Sequence, residues 1–364
     1  MKKYIIIGLI AIVGVAFLLQ PLFNSTPSNT GNTGDDKLPA VFLFEANLAT
    51  IGDDIVELAM EVQKDVKRIE IVYNDSVLKT WDNPSQSLSF PLNAGMFGVG
   101  TRTLNLISIK NDGSSFVDNR MVRVLSDIIP DKKVAVTVNT HPHNSTSFTQ
   151  GLEFYKGKLF EGTGDPGNKG NTIVASVDLS TGKHIHSMGL DVGFFGEGIT
   201  VLNDVLYQLT WQNQRCYKYH VANNLQLLGE FSYSGEGWGL CNDGNELIMS
   251  NGTERITFRD PETFSINRTI DVYNNQGPIN YLNELEFIDG KIYANVWTTN
   301  MLVVIDPVSG KVLEEIDCTS LLAQGQGEGE VLNGIAFNSQ TNKTYMTGKY
   351  WSKVLEVKFV TPGE

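Results

Sequence analysis

The segment Gly193-Phe194-Phe195-Gly196-Glu197-Gly198 places one carboxylate between two glycines, directly after two aromatic rings. Glycine lets the backbone turn sharply and lets a ligand approach closely, and neighbouring rings raise the pKa of a carboxyl group by desolvating its anion. Such an arrangement suits an acid/base residue at the mouth of a pocket. The alternative is a β-turn with a solvated glutamate and two core phenylalanines. The position of the segment within the chain has to distinguish these two interpretations.

The second half of the chain repeats a pattern of paired turns. Its five repeat starts lie 47, 41, 45 and 50 residues apart, at Gly151-Leu152, Gly198-Ile199, Gly239-Leu240, Glu284-Leu285 and Gly334-Ile335. This spacing is typical of a four-stranded propeller blade. We therefore expect an all-β fold with a five-bladed β-propeller over residues 130–364. The last repeat has only three strands of its own, so we expect residues 133–138 to pair with it and close the ring.

Aromatic and amide side chains recur at these starts and one turn after them. The starts carry Phe148, Gln150, Phe195, Glu197, Trp238, Asn283 and Asn333, and the later turns carry Trp211, Trp297, Lys349 and Trp351. Because repeat starts converge on the axis of a propeller, we expect an aromatic-walled cup with few charges. Such a cup suits a small polar ligand whose apolar body contacts the rings. Packing between blades is the alternative for any one tryptophan.

The first 129 residues carry export and spacer signals. Two lysines at positions 2 and 3 precede an apolar run, which predicts a signal peptide or an uncleaved membrane anchor over residues 1–23. Residues 24–37 are rich in Ser, Thr, Asn, Gly and Pro and are expected to form a flexible linker. Short alternating runs predict an immunoglobulin-like β-sandwich over residues 38–129. We therefore expect the protein in the cell envelope, on the periplasmic face of a membrane.

Composition excludes some partners and leaves the cysteines open. The net charge of −13 and the lack of a dense Lys/Arg run argue against nucleic-acid binding. A length of 364 residues allows two globular domains. Cys216, Cys241 and Cys318 are widely spaced, which supports neither a zinc knuckle nor a dense disulfide framework. One disulfide and three free thiols both remain open.

Taken in order along the chain, these motifs resemble the plant-type glutaminyl-peptide cyclotransferases, a five-bladed propeller class that includes the papaya-latex enzyme and bacterial relatives. They keep the order and spacing of that family over roughly residues 133–360, which is more specific than any single motif. The N-terminal segment and the sandwich lie outside the resemblance. The residues that carry it are Phe148-Thr149-Gln150-Gly151-Leu152, Phe195-Gly196-Glu197-Gly198, Trp211, Gly237-Trp238-Gly239-Leu240-Cys241, Asn283-Glu284-Leu285-Glu286, Trp297 and Thr347-Gly348-Lys349 with Trp351.

The resemblance implies an acyltransferase that converts the N-terminal glutamine of peptides or proteins into pyroglutamate and releases ammonia. It implies Glu197 as the catalytic acid/base. Either Lys349 or an amide donor such as Asn283 would stabilise the oxyanion at the attacked carbonyl. The implied substrate site consists of Phe148, Gln150, Phe195, Trp211, Trp238, Asn283, Trp297 and Lys349.

We expect no catalytic metal. The histidine pairs His141-Pro142-His143 and His184-Ile185-His186 lack a nearby third ligand, so we interpret them as surface or turn histidines. The acidic turn Gly327-Glu328-Gly329-Glu330 is interpreted as solvated, and a structural calcium ion on the propeller axis is kept as an alternative.

Two other functions stay open beside the cyclotransferase. A non-catalytic propeller could bind a peptide or a glycan, since the fold alone does not decide function. A propeller lactonase or hydrolase would need an axial metal shell of Glu, Asp and Asn, which the sequence does not make evident. A catalytic role for Glu197 distinguishes the cyclotransferase from the binding protein.

Overall fold

Alternating apolar residues form eight strands in the first part of the chain. The computed structural model describes residues 38–45, 47–52 and 54–363, so the predicted anchor (1–23) and linker (24–37) lie outside the described residues. The strands are β1 (Ala40–Phe42), β2 (Asn47–Ile51), β3 (Ile55–Val62), β4 (Val66–Tyr73), β5 (Ser76–Asp82), β6 (Ser87–Asn93), β7 (Gly100–Lys110) and β8 (Ser115–Leu125).

These strands form two sheets over one core. A three-stranded sheet has the order β1-β3-β6, and a five-stranded sheet has the order β2-β8-β7-β4-β5. Side chains from both sheets share a cluster that includes the fully buried Leu58, Ile69 and Leu104. The apolar runs in the sequence do not reveal β2 and β5, because these edge strands have few buried residues.

A short 3₁₀ helix, Ala94–Phe97, lies between β6 and β7. From residue 126 to residue 363, the chain forms twenty more strands, a second short 3₁₀ helix (Val221–Asn223) and one α-helix, α1 (Thr319–Gly325). The first nine strands are β9 (Asp131–Pro142), β10 (Thr149–Tyr155), β11 (Lys158–Thr163), β12 (Ile173–Asp178), β13 (Lys183–Gly189), β14 (Gly196–Leu202), β15 (Val205–Thr210), β16 (Arg215–His220) and β17 (Gln226–Ser232). The others are β18 (Leu240–Asn242), β19 (Leu247–Ser250), β20 (Arg255–Arg259), β21 (Ile266–Asp271), β22 (Leu282–Ile288), β23 (Lys291–Val296), β24 (Met301–Ile305), β25 (Val312–Asp317), β26 (Leu332–Asn338), β27 (Lys343–Gly348) and β28 (Lys353–Val360).

These strands give an all-β, propeller-like arrangement. β10–β13, β14–β17 and β18–β21 form three four-stranded antiparallel sheets. An eight-stranded sheet with the order β22-β23-β24-β25-β9-β28-β27-β26 contains two more four-stranded antiparallel groups. β25 and β9 run parallel and join the groups. β9 also pairs with β28, where Val134 lies opposite Val360, so the predicted pairing of residues 133–138 with the last repeat is confirmed.

The first strands of the repeats contact one another in a ring. β10 contacts β14, β14 contacts β18, β18 contacts β22, β22 contacts β26 and β26 contacts β10. Glycines at the repeat starts permit this close approach. A Cβ on Gly198 would lie 2.4 Å from the nitrogen of Leu240, and one on Gly239 would lie 1.9 Å from the carbonyl oxygen of Asn283. The glycines therefore serve strand packing, which is a different role from the turn and ligand approach inferred from the sequence.

A buried carboxylate connects three members of this ring. Glu284 lies on β22, and its Oε1 accepts a hydrogen bond from the backbone N–H of Leu152 at 3.1 Å. Its Oε2 accepts from the backbone N–H of Ile335 at 2.8 Å. Glu284 therefore links the first strands of three repeats and holds the residues at the ends of these strands in register.

The two-sheet part and the repeats meet through polar contacts within one compact unit, Pro39–Glu364. Arg102 on β7 forms an ion pair with Asp271 at 2.7 Å, and Lys311 forms one with Asp127 at 2.6 Å. The three cysteines are buried free thiols, which answers the question left open by their spacing. Over the described ranges, no helix has the length and apolar character needed to cross a membrane.

Candidate active site

One cavity of about 180 Å³ brings together the nine residues that the family resemblance implied for the site. Its polar groups are buried, whereas its five aromatic residues are half-buried. A ligand in this cavity would therefore contact rings along its sides and meet the polar groups at the bottom. The lining residues are Phe148, Gln150, Phe195, Glu197, Trp211, Trp238, Asn283, Trp297 and Lys349.

The strands supply these residues in a regular way. Gln150, Glu197 and Asn283 are each the second residue of a first strand, β10, β14 and β22. Trp211, Trp297 and Lys349 directly follow the second strands β15, β23 and β27, which return antiparallel to the same end. Phe148, Phe195 and Trp238 precede the first strands β10, β14 and β18. All nine positions therefore lie at the same end of the ring of first strands.

The Glu197 carboxylate is held by a short relay of amides. The side chain of Asn333 donates from Nδ2 to Oε1 of Gln150 at 3.1 Å, which fixes the orientation of the Gln150 amide. Nε2 of Gln150 then donates to Oε1 of Glu197 at 3.0 Å. Among the described residues this is the only hydrogen bond that reaches the Glu197 carboxylate, so Oε2 is left for a ligand.

The environment of Glu197 favours its neutral form. The residue is 5 % exposed, and burial raises the pKa of its carboxyl group well above the ordinary value. The positive charge of Lys349 opposes this shift, and the negative charge of Glu236 adds to it. A carboxyl group whose pKa is raised toward that of an amine is a stronger base in its ionised form and can return the proton.

Lys349 is the cation of the cavity. It is 5 % exposed, and its Nζ lies 4.6 Å from the centroid of the Phe148 ring. Burial lowers the pKa of Lys349, while the negative charges of Glu197 and Glu330 oppose that shift. No carboxylate of the described chain lies within ion-pair distance of its ammonium group, so its charge is available to a ligand. The buried Oδ1 of Asn283 likewise has no hydrogen-bond partner.

The aromatic walls pack edge to face. The ring centroids of Phe148 and Phe195 are 5.9 Å apart, and those of Phe195 and Trp211 are 5.8 Å apart. On the other side, Trp238 and Trp297 meet at 5.5 Å with their planes nearly perpendicular. Such edge-to-face contacts hold the rings in fixed orientations. The walls are therefore largely formed before any ligand binds.

The family model for glutamine cyclotransferase matches residues 118–359. The chain belongs to the glutamine cyclotransferase family. Because the family consists of enzymes, the expectation that the chain is one is confirmed. The match begins at residue 118, on β8, and so reaches further toward the N-terminus than the resemblance traced from residue 133.

Two individual proteins are similar to this chain. Glutaminyl-peptide cyclotransferase from Arabidopsis thaliana is 36% identical over 223 residues, which are 60% of this chain and 68% of the plant protein. The crystal structure of Myxococcus xanthus glutaminyl cyclase superposes with a TM-score of 0.59 at 33% identity. That match covers 64% of this chain and 98% of the bacterial one.

Glu236 lies beside the cavity and was not predicted from the sequence as part of the site. Glu236 accepts hydrogen bonds at Oε2 from the indole Nε1 of Trp211, at 2.8 Å, and of Trp238, at 3.0 Å. Its Oε1 accepts from Nε2 of Gln212 at 3.0 Å. Glu236 therefore fixes two tryptophans from different repeats. The signal was in the sequence, because Glu236 lies between two glycines, as Glu197 does.

We expect Glu236→Ala in the cyclotransferase to raise KM about tenfold, with a smaller effect on kcat. A hydrogen bond to a charged group contributes about 1.5–3 kcal/mol, and about 1.4 kcal/mol corresponds to tenfold. The KM of Glu236→Gln should lie between the KM values of Glu236→Ala and the wild type, because the side-chain carbonyl oxygen of the glutamine can still accept a hydrogen bond from an indole N–H. Steady-state kinetics on a glutamine-initiated peptide measure this. Equal KM values for Glu236→Ala and the wild type would show that Glu236 does not position the two tryptophans for substrate binding.

Two predictions from the sequence, for Trp351 and for the histidines, are wrong. Trp351 does not line the cavity: it is fully buried in a core cluster, and its Nε1 donates to the carbonyl of Glu330 at 2.9 Å. His143 is not a surface residue, because its Nε2 lies 2.9 Å from Oε1 of the fully buried Glu161. His184 lies 2.9 Å from Oε2 of the same carboxylate. One histidine from each of the two pairs therefore contacts a buried carboxylate that the sequence did not single out.

Within the described part of the chain, no three His, Cys, Asp or Glu side chains are grouped so that they could hold a metal ion. Glu161 instead receives hydrogen bonds from two imidazoles and from the hydroxyls of Ser147 and Thr149. Thr149 is the residue before Gln150, so this buried cluster lies directly behind the site of the cyclotransferase.

Proposed function

We propose that the enzyme converts an N-terminal glutamine of peptides or proteins into pyroglutamate and releases ammonia. One observation supports this most strongly: a buried carboxylate with a raised pKa and a buried ammonium group share an aromatic-walled cavity with the unpaired amide oxygen of Asn283. An N-terminal glutamine carries its amine and its side-chain carboxamide on one short chain. Ring closure is therefore intramolecular, and the protein has to hold one conformation and move protons.

Glu197 is proposed as the proton shuttle. As a carboxylate it takes a proton from the substrate α-ammonium group, so that the free amine can attack the carboxamide carbon. After the new C–N bond forms, the protonated Glu197 gives that proton to the amide nitrogen, and the old C–N bond breaks. The ring nitrogen loses its remaining extra proton to the departing ammonia, which leaves as ammonium. Glu197 is then a carboxylate again.

Lys349 is proposed to stabilise the oxyanion that forms at the attacked carbonyl, because a positive charge in a buried site acts strongly on developing negative charge. The unpaired Oδ1 of Asn283 is proposed to accept an N–H of the substrate. Gln150 keeps one oxygen of Glu197 occupied. The aliphatic part of the glutamine would contact the rings of Phe148, Phe195, Trp211, Trp238 and Trp297.

We infer that the five four-stranded groups form a five-bladed β-propeller closed by β9, and that β1–β8 form an immunoglobulin-like sandwich. The ring of first strands and the two sheets over one core support these assignments. We further propose that the reaction needs no metal, since the described residues that line the cavity include one carboxylate, which shares the cavity with an ammonium group rather than with further anionic ligands. The structural calcium ion, the membrane attachment through residues 1–23 and the periplasmic location stay predictions.

Ammonia release from a short peptide that begins with glutamine tests the function. We expect release that continues in the presence of a metal chelator, together with a mass decrease of the peptide by one ammonia. The same peptide with an acetylated N-terminus should give none, because its nitrogen cannot attack. If the folded protein releases no ammonia from glutamine-initiated peptides but binds them, the non-catalytic peptide-binding propeller is the better account.

A further inference from the structure

A second cavity adjoins the site and shares its wall. It has a volume of about 280 Å³, and we call it the outer groove. Phe195 and Trp211 line both cavities. Because the same two rings bound both spaces, a chain that leaves the inner cavity past these rings enters the outer groove. The residues of the outer groove are Asp165, Asn168, Gly193, Phe194, Phe195, Trp211, Gln212 and Asn213.

Side-chain amides hold one wall of the outer groove in place. Oδ1 of Asn168 accepts from the backbone N–H of Gly193 at 2.8 Å, and Nδ2 of Asn213 donates to the carbonyl of Gly193 at 3.1 Å. Gly193 has a φ of +98°, and a Cβ there would meet no atom within 4 Å. The glycine therefore leaves open space where another backbone can approach closely.

The outer groove is acidic. Burial alone would raise the pKa of Asp165, but the backbone N–H groups of Lys169, Gly170 and Asn171 outweigh it and lower that pKa, so the carboxylate is ionised. No Lys or Arg is among the residues that line the outer groove in the described chain. The Glu236 carboxylate lies next to it, since it accepts a hydrogen bond from Gln212.

We propose that the outer groove binds the second and third residues of the peptide substrate and selects against an acidic second residue. This rests on the proposed function, in which the first residue fills the inner cavity. An extended chain advances about 3.3 Å per residue, so the next two residues fit beyond the shared rings. Like charges brought together with little intervening water repel, so the carboxylate of Asp165 disfavours a second-position Glu and favours Lys.

The test compares three tripeptide amides, Gln-Lys-Ala, Gln-Ala-Ala and Gln-Glu-Ala, with glutaminamide, which has no second residue. Each kcat/KM is divided by the value of the same protein on glutaminamide, so that general effects of a substitution cancel. For the wild type at low salt we expect the Lys peptide to exceed the Glu peptide by about fivefold, and the ratio to fall as salt screens the charges.

Two substitutions place a positive charge in the outer groove, Asn168→Lys and Asn213→Lys. Each should lower the Lys-to-Glu ratio by about threefold or more. Asn245→Lys is the matched control, because Asn245 is exposed and lines neither cavity, and its ratio should equal that of the wild type. A ratio of one in the wild type, or equal ratios in all four proteins, overturns the outer groove as a subsite. No turnover of any substrate overturns the proposed function, and the subsite with it.

Discussion

Replacing Glu197 with glutamine should lower kcat/KM for a glutamine-initiated peptide by about 10²–10⁴-fold, the usual contribution of a general acid/base. The amide has nearly the same shape as the carboxyl group and can keep a hydrogen bond with Gln150, so the cavity keeps its form. It cannot accept and return a proton at neutral pH. The effect should therefore appear mainly in kcat, because the aromatic contacts that hold the substrate remain.

The control for this variant is Glu328→Gln. Glu328 also lies between two glycines, so the two substitutions make the same chemical change in the same local sequence. It is exposed and does not line the cavity. Ammonia release under single-turnover conditions, with circular dichroism to verify the fold, measures both variants. Activity of Glu197→Gln within threefold of the wild type would remove Glu197 from the mechanism.

The sequence predicts the residues that line the cavity better than it predicts the buried residues that support them. Gln150, Glu197 and Asn283 are found from the sequence because each directly precedes a repeat start. The fold places equivalent positions of the repeats at equivalent positions around a ring. Glu161 occupies no such repeated position. Its partners His143 and Ser147 lie upstream in the loop between β9 and β10, and only the folded chain brings them to one carboxylate.

The strands show the same contrast. First strands such as β14 are buried at every residue, and β14 is recognisable in the sequence from the repeat start Gly198-Ile199 that it contains. Edge strands such as β5 have no buried residue, and β5 pairs with a single neighbouring strand, β4. Local sequence gives little information on such strands, since strand propensity depends strongly on the surroundings. Trp351 illustrates a related error, because repeat position alone does not tell a cavity wall from a core.

Replacing Glu161 with glutamine should lower the free energy of unfolding by about 3–5 kcal/mol near pH 6, the cost of breaking a buried ion pair. Oε1 of Glu161 lies 2.9 Å from Nε2 of His143, and Nδ1 of His143 lies 2.7 Å from the carbonyl oxygen of Trp351. The side chains of His143 and Glu161 are 1 % and 0 % exposed. Without the carboxylate, an imidazolium would lie buried with no counter-charge, or it would have to lose its proton.

The pH dependence separates this pair from ordinary packing. Burial alone would lower the pKa of His143, but the charge and hydrogen bond of Glu161 outweigh it and raise that pKa above 6.5. Burial alone would raise the pKa of Glu161, but the two histidines outweigh it and lower that pKa well below 4.5. The histidine contribution is complete below pH 6.5 and is lost as the pH rises through its raised pKa. The glutamate contribution is complete above pH 4.5 and is lost as the pH falls through its lowered pKa.

The stability difference between the wild type and Glu161→Gln should therefore be largest between about pH 4.5 and 6.5 and decrease on both sides. Urea unfolding followed by circular dichroism at several pH values measures it. Asp204→Asn is the control, because Asp204 pairs with Lys156 on the surface, where both side chains are largely exposed, and its effect should be small at every pH. A constant difference for Glu161→Gln across pH would mean that shape rather than charge makes the contribution. Since Thr149 donates to Glu161 and precedes Gln150, loss of the pair should also disturb the amide relay that holds Glu197.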